Sequence, residues 1–226
     1  MTEVISQTEA CVPIDFDTQI LEIAQWAKEH HSDEADFHPF THSWSVYETA
    51  MTYADYYESL GNVIDRRVLA FACLGHDILV HVPLDKEIIP GQKFESIEHR
   101  SAWIFSNYLI SKGYSEETVA KPVHDLIITS KNGEELDTIE SVILCMSDIH
   151  NTIEDLEVFE DRALAFYREE CKFKKLTCTF TEWLPGAMEY LAGFLSPRLP
   201  QEFVDTAKKH INQLLSKYGF GNMFNS

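Results

Sequence analysis

The sequence predicts an all-α fold, and three observations carry that prediction. Apolar residues recur at spacings of three and four through most of the chain. Glycines and capping side chains fall where those patterns stop and start. No alternation of strands with helices, internal repeat or linker appears. At 226 residues, with enough apolar and aromatic side chains to bury a sizeable core, the chain is expected to form one domain over 1–226, with residues 1–16 flexible.

From His42 to Leu60, Tyr47, Ala50, Met51, Ala54 and Tyr57 share one helical face, and Gly61 ends the pattern. Asp65 is suited to cap the next helix, where Val68, Leu69, Ala72, Cys73 and His76 continue a single stripe. Residues 78–95 carry Pro83, Pro90 and Gly91 and read as a long loop. A third helix is expected over 96–112, with Ala102, Phe105 and Leu109 inward and Gly113 at its end. Ser115 would cap a fourth, whose stripe is Val119, Val123, Leu126 and Ile127; Pro122 predicts a kink or a delayed start. After a polar turn at 131–137, Ile139 to Ile149 is apolar almost all round, which marks a buried helix. Helical patterns follow at 154–171, at 183–195 closed by Pro197, and at 201–218 closed by Gly219; Leu176 to Thr181 reads as β-like.

The formal net charge is −19. Binding to a nucleic-acid polymer rests on Lys and Arg neutralising phosphates, and docking on an anionic membrane needs the same sign, so both are excluded. The only dense basic run, Lys172 to Lys175, is too short to reverse this. The longest apolar run, Val68 to Leu74, is far below the ~20 residues of a membrane helix. Met1 to Gln7 lacks the basic start and apolar core of a leader, and Cys73 and Cys145 sit in apolar runs as reduced core thiols do. A cytoplasmic protein is expected, and nothing in the chain excludes a homodimer.

The chemistry is concentrated in a few His and Asp residues. His76 and Asp77 continue buried rows at the end of an apolar helix, and Asp148 lies inside the most apolar helix of the chain. Burying a carboxylate there costs several kcal/mol, about what a partner or a metal must return. His42 opens the first long helix. Two imidazoles and two carboxylates from three helices suit a divalent transition ion (Mn, Fe, Ni, Zn or Co, with Mg disfavoured by the nitrogen donors). Taken singly, each of these residues also fits an ordinary satisfied polar group.

The order His42, His76-Asp77, Asp148 resembles the H…HD…D signature of the HD superfamily of metal-dependent phosphohydrolases, and Leu74-Gly75-His76-Asp77-Ile78 is similar to its signature helix end. The likeness extends to a subgroup of predicted HD phosphohydrolases: Glu98-His99-Arg100-Ser101-Ala102 is similar to its NExxSA motif, Leu126 to Thr129 to a later apolar segment, and Met146 to Ile149 to its distal Asp motif, before a helix ending Tyr167 to Glu170. It covers roughly 37–195. It implies an HD-type helical bundle with additional C-terminal helices, and hydrolysis of a small phosphorylated metabolite or nucleotide. In that reading His42, His76, Asp77 and Asp148 bind the metal, Asp77 also accepts a proton, and Glu98 assists. Two departures matter. Val46 stands where the subgroup often has a second His. Leu79-Val80-His81 follow the HD pair where stringent-response hydrolases carry acidic residues.

Glu98 reads equally as a carboxylate meeting its helix dipole. His99 and His124 are available as ligands of a second metal, which would make the protein a dinuclear-iron oxygenase on the same scaffold, although the landmarks align the extra ligand positions on Glu98 and on Thr129 or Ser130. Arg67, Arg100 and Lys131 are candidates for a substrate phosphate, and His30, His31, His38 and His81 read as surface or loop residues. A non-catalytic module stabilised by its metal is the third reading; a site closed to water with no adjacent pocket would favour it.

Overall fold

The computed structural model describes residues 15–131, 133 and 135–224. Every regular element among them is helical: α1 Phe16–Glu29, α2 Phe40–Ser59, α3 Arg66–Gly75, α4 Ile97–Ser111, α5 Lys121–Thr129, α6 Ile139–Asp148, α7 Leu156–Lys174, α8 Phe180–Ala192 and α9 Gln201–Lys217. None of these helices is long and apolar enough to cross a membrane.

The expected starts hold in atomic detail. The Asp65 carboxylate accepts from the backbone N–H groups of Arg67 and Val68, the Ser96 hydroxyl from His99, and the Ser115 hydroxyl from Thr118. Gly61 and Gly113 end α2 and α4 in the left-handed region, at φ 90° and 85°, which a side chain resists. Pro122 delays α5: a wide helical turn at Glu116–Ala120 comes first, and the proline falls in the first turn of α5, where its missing N–H costs nothing. No strand forms at Leu176 to Thr181. The Thr179 side chain and backbone instead enter a capping box with Glu182, so α8 starts at Phe180, three residues before the expected position.

The helix α1 was missing from the expectation although its signals are present. Asp15 caps it, and Ile20, Ile23, Ala24 and Ala27 are buried at spacings of three and four. Asp15 and Phe16 therefore belong to an ordered helix, and the rest of the expected flexible segment, with Cys11, lies outside the described residues.

Helices α1 to α5 and the inner face of α6 enclose the main core, built on Leu69, Phe71, Phe105, Leu109, Ile127 and Ile143. α2 runs along α3 and α6, and α5 packs on α3 and α4. The outer face of α6 (Val142, Cys145, Met146) starts a second core with Leu136, Phe194 and Phe203, and α7, α8 and α9 close a third around Leu184, Ile211 and Leu214. α6 is thus buried on both faces, as its composition required. Gly75 fits one residue before His76 because a Cβ there would stand 2.2 Å from the ring of the buried Phe105.

His31, expected at the surface, ties α1 to α2. Its Nδ1–H donates to Ala27 O at 2.8 Å, leaving Nε2 to accept from the buried Ser43 hydroxyl at 3.0 Å. Burial pushes this imidazole down from 6.5 to about 4. The unfolded chain therefore takes up a proton near pH 6.5 that the folded chain refuses, and stability falls as pH drops from about 6.5 to 4, by about 3 kcal/mol in total. His31→Gln, which cannot titrate, should flatten the difference between melting temperatures at pH 4.5 and 7.5. An unchanged pH slope would refute this role.

Candidate metal centre

Three helices bring the candidate residues to one point. His42 stands one turn into α2, His76-Asp77 just past the end of α3, and Asp148 at the end of α6. One ligand atom from each of the four lies within 4.8 Å of all the others.

The backbone fixes which atoms face inward. The Nδ1–H of His76 donates to Cys73 O at 2.8 Å, so Nε2 carries the lone pair that enters the site. That Nε2 is 3.3 Å from Asp148 Oδ1 and 3.0 Å from Asp77 Oδ2, while His42 Nε2 is 3.0 Å and 3.5 Å from the same two oxygens. The other oxygen of each carboxylate turns to Lys131, whose Nζ donates to Asp148 Oδ2 at 2.6 Å and to Asp77 Oδ1 at 3.4 Å. Each carboxylate is therefore divided, with one oxygen held by an ammonium and one turned to the imidazoles. Asp77 Oδ2 is buried without any hydrogen bond of acceptable geometry, in a setting where an orphaned charged oxygen costs several kcal/mol, of order. Nitrogen lone pairs and a buried, unsatisfied carboxylate oxygen converge on one space, and these residues could hold a metal ion.

The electrostatics agree. Burial alone would push both carboxyls up, but His76 and Lys131 outweigh it and hold Asp77 well below the usual carboxylate range; Lys131 and His76 do the same for Asp148. Burial alone would lower the bases, yet the two carboxylates raise Lys131, His42 and His76, the last to about 9. The field that draws protons onto these imidazoles also draws a cation, so metal and protons compete and affinity rises with pH.

His38, expected to be a surface or loop residue, belongs to this site. Its side chain is 13% exposed, and Nε2 lies 3.7 Å from Asp77 Oδ2. Nδ1–H donates to Glu169 Oε1 at 2.5 Å, and Glu169 Oε2 accepts the backbone N–H groups of Phe37 and His38 at 2.7 and 2.8 Å. Glu169 is buried on α7; burial raises its pKa, but His38 and the two amides outweigh this, so it is a fixed anion that orients the ring. A His four residues before His42 was the available signal, but its partner is 131 positions away.

The other candidates are dispersed. Glu98, in the first turn of α4, lines the same cavity as Asp77, Asp148 and Lys131. His99 sits 3.7 Å from Glu95 on an exposed face, and His124 sits beside Asp125; neither joins the four-residue group. Arg67 lies at the far end of α3, nine residues or about 13 Å from His76, and lines a separate recess with Phe16 and Thr118. Arg100 is a correction. It is buried and donates through Nη1 and Nη2 to the carbonyls of Leu79, Val82 and Pro83, at 2.8, 2.7 and 3.2 Å, while its Nε–H is buried without a partner among the described residues, so it holds the loop after Asp77 and is shut away from a phosphate. The neighbouring Ser101 hydroxyl donates to Ile78 O at 2.9 Å. These two residues pin a sharp turn in which Leu79, two residues after Asp77, takes φ 59°, a strained value for a non-glycine.

A cavity of about 700 Å³ opens directly on this centre. Comparison with protein-family models, with curated proteins and with solved structures finds no match to the chain.

Proposed function

We propose that this protein is a metal-dependent hydrolase of small phosphate esters. One observation carries the reading: Asp77 and Asp148, two of the four residues whose ligand atoms converge, line a cavity of about 700 Å³ together with Lys131, large enough for a substrate. A metal that only stabilises the fold needs no such cavity.

His42 Nε2, His76 Nε2, Asp77 Oδ2 and Asp148 Oδ1 would hold the ion, which supplies Lewis acidity toward a water and a phosphoryl oxygen. Hydrolysis joins a water oxygen to phosphorus, breaks the ester P–O bond and returns the proton to the leaving alcohol. In this reading Asp77 would accept the water's proton and pass it to His38 Nε2, 3.7 Å away, whose ring Glu169 orients. Lys131 lines the cavity and pairs with both aspartates, and its ammonium would balance phosphoryl charge there. Glu98 faces the same space and assists by holding a water or a substrate hydroxyl.

The test is protein stripped with a chelator and reloaded separately with Mn²⁺, Fe²⁺, Co²⁺, Ni²⁺, Zn²⁺ and Mg²⁺, then assayed on phosphomonoesters and nucleotides. Hydrolysis should return with one or more of the transition ions, and the metal concentration needed should rise as pH falls below about 9, as protons compete for the imidazoles. Failure of every ion to bind, or hydrolysis indifferent to the chelator, would overturn the proposal.

A further inference from the structure

We infer that the preferred substrate, on the phosphohydrolase reading above, is an amphipathic monoester: one phosphate on an extended apolar or aromatic body. Polar groups gather at one end of the cavity, where His38, Asp77, Lys131, Asp148 and Glu169 lie. The rest of the lining is mostly apolar, with Phe37, Phe166, Phe173, Trp183 and Leu191 from the segment before α2 and from α7 and α8, together with Val80, Val82 and Leu84 of the loop; Glu98, His81 and Asn151 are polar exceptions. About 700 Å³ lies in the ~300–1,000 Å³ range of sites that enclose a whole small molecule, so the body of the substrate is buried with its phosphate.

The charge on this wall is already committed. Glu170 accepts the Trp183 indole N–H at 2.7 Å and pairs with Lys174, which leaves Lys131 as the lining cation nearest the metal centre. A nucleoside triphosphate brings several negative charges and a base edge that needs hydrogen-bond partners, whereas this wall offers aromatic faces and aliphatic side chains. Burying such surface is favourable in itself, by about fourfold in affinity for each methylene taken from water.

Gly186 gives a clean test. It lies inside α8, is exposed and lines the cavity, and a Cβ built there meets no atom within 4 Å. Gly186→Leu therefore fills space without backbone strain and favours the helix. Binding of ethyl-, butyl-, hexyl- and octylphosphonate to the Mn²⁺-loaded protein, followed by calorimetry, should tighten about fourfold per methylene. Gly186→Leu should cut the octyl-to-ethyl affinity ratio by about tenfold or more, as losing two buried methylenes would. Equal affinity for all four phosphonates, or tighter binding of adenosine monophosphate than of octylphosphonate, would overturn the inference. The two readings fail separately. Chain-length-dependent binding without hydrolysis of octyl phosphate refutes the phosphohydrolase and leaves the apolar site standing; equal hydrolysis of ethyl and octyl phosphate does the reverse.

Discussion

Asp77→Asn is expected to lower phosphate-ester hydrolysis by about 10²–10⁴-fold while the helices stay folded. The amide preserves shape but removes the negative charge and the basicity of Oδ2, the oxygen that three imidazole nitrogens approach within 3.7 Å. Metal affinity falls with it, because a neutral amide oxygen replaces one of two anionic ligands. The fold survives because Asp148 still holds Lys131 at 2.6 Å and His76 still donates to Cys73 O. Metal content, turnover at saturating metal and melting temperature separate the outcomes. Unaltered turnover would remove Asp77 from the chemistry. Loss of the fold along with the metal would support a structural ion instead.

The second large effect is expected from Arg100→Met, a residue that touches no ligand atom. Methionine fills much of the space but leaves three carbonyls of the half-buried loop without their donor, at about 1–3 kcal/mol for each that water cannot reach. Partial relaxation of the loop brings the net loss to about 3 kcal/mol, or roughly 6–12 °C in melting temperature for a chain of this size. Leu79 then relaxes from φ 59°, and Asp77, two residues earlier, loses its fixed direction. Metal affinity should fall by about 10–100-fold, as for other groups that orient ligands from behind. Arg100→Lys keeps the charge without the planar fork and should lie between Met and the native protein. Native melting temperature and native metal affinity in Arg100→Met would show that the loop holds itself.

The sequence by itself determined the helical architecture, because period, caps and stops are local. Asp65 and Ser115 cap the helices they were expected to cap, α4 begins beside Ser96 within the range expected, and α6 is buried all round as its composition demands. It also determined the four candidate ligands. A His-Asp pair at the end of an apolar helix and an Asp inside another are costly enough to announce a shared purpose, and they meet. What only the tertiary structure decided is the identity of their neighbours. Whether a His such as His38 faces water or Asp77 depends on Glu169, 131 residues away, and whether Arg100 meets a phosphate or three carbonyls depends on how the loop folds back over α4. His99 and His124 read as ligands by count alone, yet the helices turn them toward Glu95 and Asp125. The cavity, too, exists only once α7 and α8 pack across from the loop. A side chain's local pattern sets its helix and its face; the distant element packed against that face sets its chemistry.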